Sequence, residues 1–100
     1  MAASSGALHE PESRLKPETI SRHRAIVSLM EELEAIDWYG QRVDAEEDAD
    51  LRAVLAHNRD EEKEHASMVL EWIRRHDPTF DRFLRKYLFT EGSITAIEEG

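Results

Sequence analysis

The sequence predicts an all-α protein, an antiparallel hairpin of two long helices followed by a short third one. Three observations predict it. Two long stretches, about Glu18 to Asp44 and about Glu47 to His76, are almost free of Gly and Pro. Their apolar residues recur at helical spacing. No run of β-branched residues alternates with polar ones, so no strand is expected.

Each element follows in order. Residues 1–16 are rich in Ala, Ser and Glu and stop at Pro17, which reads as a flexible arm. The helical domain then occupies residues 17–90. In its first helix, with Glu32 as zero and about 100° per residue, Ala25, Leu29, Ile36, Tyr39 and Val43 fall within roughly 60°. Glu32 therefore sits inside the apolar stripe. In the second helix, with Glu62 as zero, Leu51, Leu55, Asn58, His65, Ala66, Val69 and Ile73 fall within roughly 60°. Glu62 and His65 are inside that stripe too. Pro78 ends the second helix, because the residue before a proline is pushed out of the helical region. Phe80, Phe83, Leu84, Tyr87 and Leu88 form the small apolar face of the third segment, suited to capping a dimer or to a contact between dimers. Residues 91–100, EGSITAIEEG, carry no stripe and read as a loose, flexible tail.

The link around Ala45 to Asp48 is short, which forces the helices antiparallel. Glu32 and Glu62 lie equally far from it in sequence, on the order of 20 Å up each helix. Two carboxylates and an imidazole thus converge at mid-height of one hairpin.

Composition narrows the chemistry. The chain has 100 residues, 22 Asp and Glu against 13 Lys and Arg, a net charge of -9 and no Cys. No cysteine means no disulfide scaffold and no thiolate ligand. The acidic balance argues against nucleic-acid backbone binding, which needs a basic surplus. No apolar run approaches the roughly 20 residues of a membrane span, and no secretory signal is visible, so a cytoplasmic location is expected.

A carboxylate on an apolar face needs a compensating charge, either a basic partner or a metal. No Lys or Arg is read on the stripes close to Glu32 or Glu62, which leaves a metal. Glu62-Lys63-Glu64-His65 is a Glu-x-x-His motif, with both ligands one turn apart on one face. Carboxylate plus imidazole suits iron or manganese, and zinc tolerates it. Di-iron four-helix bundles use one Glu from each of two helices and one Glu-x-x-His from each of the other two. This chain supplies half that set on half a bundle. Two chains paired about a two-fold axis would complete both, with two Glu32, two Glu62 and two His65 around two iron ions. Four carboxylates balance the charge of two Fe(II). Two other readings stay open at this level: a helical adaptor with a structural metal, and a buffer binding calcium, zinc or manganese without redox chemistry.

The stretch HRAIVSLMEELEAIDWYGQRVDA, followed by LAHNRDEEKEHASMVLEWIRRHDP, closely resembles the encapsulated ferritins over roughly residues 20–90. The resemblance implies a ferritin-like four-helix bundle formed by dimerisation. It implies a ferroxidase that oxidises Fe(II) to Fe(III) with dioxygen at a di-iron site across the homodimer interface. In it Glu32, Glu62 and His65 correspond to the ferroxidase ligands, which are both catalytic and metal-binding. Glu31 and Glu34 correspond to acids of a metal-access site, and Trp38 to an aromatic beside it. Helical angles agree, since Glu31, Glu34 and Trp38 share a stripe away from the Glu32 face. Tyr39 shares the Glu32 face two turns on, about 10 Å along the axis. The resemblance further implies a ring-shaped decamer of five dimers, packaged in an encapsulin shell that holds the iron mineral inside a bacterial cytoplasm. Packaging in that family uses a C-terminal peptide. The last residues here contain no short apolar docking motif, so such a peptide is expected to be missing.

Overall fold

The computed structural model describes residues 6–100, and all its regular elements are helical. A 3-10 turn, Glu12–Arg14, precedes α1 (Pro17–Ala45), α2 (Ala49–Arg75), α3 (Pro78–Tyr87) and α4 (Ile94–Glu99). The expected arm over residues 1–16 is therefore structured at 12–14, and its residues 1–5 lie outside the described residues.

Local chemistry sets the boundaries. Pro17 opens α1, where its missing N–H and fixed φ cost nothing. Three residues, 46–48, make the turn into α2. The Glu46 carboxylate accepts from the Asp48 N–H at 3.0 Å, and Arg52 Nε donates to the Glu46 carbonyl at 2.9 Å. Asp48 caps α2 by accepting from the Leu51 N–H at 2.8 Å. At the far end the His76 ring stacks on Trp72, centroids 3.9 Å apart, and its Nδ1 lies 2.8 Å from the Trp72 carbonyl. Asp77 then caps α3 through the Phe80 N–H at 2.9 Å, with Pro78 in the first turn.

The tail differs from expectation. Residues 94–99 form α4, although they show no apolar stripe. Ser93 supplies the cap, accepting from the Ala96 N–H at 3.3 Å. Lys86 on α3 donates to the Glu98 carbonyl at 3.2 Å and ties α4 down. A helix this short depends on such local bonds, because nucleation is costly and few residues propagate it.

The described chain measures 49 × 40 × 19 Å, so it is a single layer of helices. Its radius of gyration is 17.1 Å, against about 13 Å for a compact chain of this length. One layer has no inside. Among the described residues only Ala66 and Ile73, both on the stripe of α2, are buried. Ile26, Leu33, Val54 and Met68 are about half exposed. Apolar area of this extent on a hairpin needs a covering partner.

Candidate metal centre

Glu32 lies on α1 one residue from its middle, and Glu62 is the middle residue of α2. The antiparallel hairpin brings them to one level across the helix interface. Oε2 of Glu32 is buried and has no hydrogen-bond partner. Burial raises the pKa of this carboxyl, and the charges of Glu62 and Glu31 raise it further, while His65 opposes them. An orphaned buried carboxylate oxygen beside a second carboxylate fits a cation, since a charge left in that position is otherwise costly.

Glu62 and His65 stand together as their spacing requires, with Oε1 and Nδ1 3.7 Å apart. Their side chains are 27% and 45% exposed. They were expected on a buried face, and one chain covers that face only partly. Two helices in a single layer cannot enclose their own contact edge. Among the described residues, no three His, Asp or Glu side chains converge into a complete ligand set within one chain. Glu32, Glu62 and His65 are a donor set of two carboxylates and one imidazole nitrogen, which suits iron, manganese or zinc.

One basic residue stands a turn from Glu62 and was passed over by the sequence reading. Arg59 directs its Nε to Asp60 at 3.1 Å. Among the described residues neither Glu32 nor Glu62 pairs with a Lys or Arg, and the nitrogen group beside Glu62 is the His65 imidazole.

The other candidates spread along the outer faces. Glu31 is exposed and Glu34 half-buried. Trp38 is 42% exposed and lines a shallow depression with Gln41 and Arg42. Tyr39 is half-buried, with the Arg42 guanidinium 5.4 Å from its ring centroid. His57 is a surface residue, 3.5 Å from Glu61.

A charged cluster at the α2–α3 junction was not singled out from sequence. Glu71 accepts from Arg74 at 2.7 Å and from Arg75 at 2.6 Å, and Arg74 also reaches Asp81 across the bend. Asp81 accepts in turn from Arg85 at 2.9 Å. The pairs within one helix are legible from their three- and four-residue spacing. The Arg74–Asp81 contact needs the bend itself. The apolar groove beside this junction, floored by Leu70, Leu84 and Leu88, contains none of the candidate ligands.

Known proteins are similar to this chain in sequence and in fold. The chain is similar to the encapsulated ferritin-like protein of Rhodospirillum rubrum, 68% identical over 98 residues that span 98% of this chain and 70% of that one. It is 42% identical to the encapsulin nanocompartment cargo protein EncC of Myxococcus xanthus over 52 residues, 52% of this chain and 40% of that one. Its fold matches the crystal structure of protein ne0167 from Nitrosomonas europaea, with a TM-score of 0.85 and 61% identity over 88% of this chain and 97% of that one. No described helix is long and apolar enough to cross a membrane. Residues 7–91, which include the whole hairpin and both of its central carboxylates, match the EncFtn-like model, and the chain belongs to the EncFtn-like family.

Proposed function

We propose that two copies of this chain pair across their Glu32 faces, complete a four-helix bundle, and oxidise Fe(II) with dioxygen at the site they share. The single observation that carries this is the buried, unpartnered Oε2 of Glu32 at the level of Glu62. Iron is the substrate, two ions per dimer. Each Fe(II) loses one electron, and dioxygen accepts the electrons.

The residues have distinct work. Glu32 and Glu62 from both chains supply four negative charges, which offset two Fe(II). His65 supplies a neutral nitrogen donor one turn from Glu62. Exposed Glu31 and half-buried Glu34 give cations an approach from solvent, with Trp38 as the aromatic beside that route, and Tyr39 is an aromatic on the Glu32 face itself. The names of the Rhodospirillum rubrum and Myxococcus xanthus relatives support packaging in an encapsulin shell, and the family resemblance implies the wider setting: a ring of five dimers in a bacterial cytoplasm, delivering Fe(III) for storage.

Aerobic addition of Fe(II), followed by absorbance, tests the reading. The parent protein is expected to turn over beyond two irons per dimer in a dioxygen-dependent way. Glu32→Ala, Glu62→Ala and His65→Ala are each expected to lose about ten-fold or more in initial rate, since losing even a group that supports a metal ligand costs about 10–100-fold. Equal rates in parent and variants would overturn the assignment.

A further inference from the structure

Charged residues crowd the middle of α2, and their pairing is selective. Arg59 stands three residues before Glu62, and Lys63 directly after it. Side chains three and four residues apart are neighbours on a helix. Glu62 is thus the carboxylate of α2 that the helix sets at that spacing from Arg59. Arg59 does not pair with it. Its Nε donates to Oδ1 of Asp60 at 3.1 Å, and Lys63 Nζ stands 3.6 Å from the same oxygen. Adjacent helical residues do not face each other, so the Arg59–Asp60 contact is not one that helical spacing provides by default. Asp60 lies two residues from Glu62, about 200° round the helix and on the opposite face. Its side chain is 62% exposed, against 29% for Arg59. The guanidinium of a partly covered arginine is led outward, away from the Glu62 carboxylate.

We infer that Asp60 holds the Arg59 guanidinium off Glu62 and so leaves that carboxylate free for iron. This rests on the proposed shared iron site and adds a residue that keeps one of its ligands open. Asp60 is a positioning residue, because it acts through Arg59 and holds no metal itself.

Charge and geometry both call for such a restraint. Four carboxylates offset two Fe(II), and a guanidinium on each Glu62 would cancel half of that negative charge. An Arg–carboxylate pair is commonly bidentate, so it would occupy the oxygens that a cation needs. Against Glu62 stands His65 instead, Nδ1 to Oε1 3.7 Å. A neutral imidazole has a lone pair and can share a metal with the carboxylate, whereas a guanidinium has none to offer. The Asp60 contact can be weak and still decide the outcome. Exposed ion pairs add little to stability, but here one arginine chooses between two carboxylates, and a small bias sets which one it leaves alone.

Mn(II) is a suitable probe, because its binding can be followed by titration calorimetry with no turnover. The binding read is the part that Glu62→Ala abolishes, at low salt. Asp60→Asn is expected to weaken it about three-fold or more, within the range of a surface ion pair. Arg59→Gln in the parent is expected to leave it essentially unchanged, since Arg59 is already held aside. Arg59→Gln added to Asp60→Asn is expected to restore the parent affinity. This dependence of one change on the other separates the role from bulk charge. If charge alone mattered, Arg59→Gln would strengthen binding equally in both backgrounds, and that result would overturn the inference. Parent affinity in Asp60→Asn, or no recovery in the double variant, would overturn it too. Mn(II) binding indifferent to Glu62→Ala would instead overturn the shared site itself, and this role with it.

Discussion

Glu32 on α1 is held above the ordinary carboxylate range by its burial and then by the charge of Glu62 on α2, and neither side chain pairs with a Lys or Arg among the described residues. The metal-free chain thus carries a cost at its centre. Its sign follows from the raised pKa. The folded chain is favoured while Glu32 keeps its proton, and that advantage is lost as pH rises through the folded value. Glu32→Gln is therefore expected to stabilise the metal-free protein at neutral pH by about 1 kcal/mol. The gain should vanish below the ordinary value of 4.5. Thermal melts of both proteins between pH 4 and 8, without metal, check this, and a gain independent of pH would count against it.

Metal should act on assembly as well as on chemistry. Four carboxylates brought together across a dimer repel, and a cation that binds only the paired form pulls the equilibrium toward it. Such a ligand at a hundred times its Kd stabilises by about 2.7 kcal/mol. Native mass measurement with and without anaerobic Fe(II) is expected to show more dimer, or larger species, with the metal. In Glu62→Ala the shift should shrink. Assembly that ignores metal in the parent would contradict the shared site.

The junction of α2 and α3 should loosen in acid. Hydrogen bonds from Arg74 and Arg75 bring the Glu71 pKa down to about 2, and Arg74, with help from Arg85, lowers that of Asp81. A depressed carboxylate contributes stability above its unfolded value that is lost as pH falls through the folded one. For Glu71 that window runs from 4.5 down to about 2. Amide hydrogen exchange in α3 is expected to quicken across it. Glu71→Gln should exchange faster already at pH 7 and respond less to acid.

Much of this architecture was legible because it rests on short-range rules. Helical spacing put Glu32 and Glu62 inside apolar stripes, and a link too short for anything but a hairpin fixed their common level. Pro17, Asp48 and Pro78 fixed the helix ends to within a few residues. The rest depended on contacts that no local window contains. The six residues of α4 carry no stripe and rely on Ser93 and on Lys86 from another helix. Arg74 meets Asp81 only after the chain bends at His76. The partial exposure of Glu62 and His65 reflects how thin a one-layer chain is. A stripe reports which residues face inward, not whether a second layer is there to cover them.

The small core should be sensitive to truncation. Ile73 is 3% exposed and is one of only two buried residues among those described. Its side chain lies on the stripe of α2 and has no second layer to relax into the gap. Ile73→Ala is expected to cost about 2–4 kcal/mol, the range for large-to-small changes in cores. Met68→Ala, at a site 59% exposed, should cost the isolated chain well under 1 kcal/mol. Denaturant melts at fixed protein concentration separate the two, and equal losses would mean that assembly covers Met68.

Phe89 offers the opposite test, a change that should stabilise. It follows the end of α3 with a φ of 62°, and its side chain is fully exposed at 102%. A left-handed residue just past a helix end is normally glycine, because a Cβ there crowds the neighbouring carbonyl by roughly 1–2 kcal/mol. Nothing among the described residues covers the ring to offset that strain. Phe89→Gly is expected to gain about 1 kcal/mol, which for a chain of this size raises Tm by roughly 4–8 °C. Phe89→Ala keeps the Cβ and should gain nothing from backbone relief. If alanine stabilised as much as glycine, the gain would come from removing an exposed ring and not from the backbone. If both variants lost stability in step with protein concentration, the Phe89 ring would be buried between chains in the assembly.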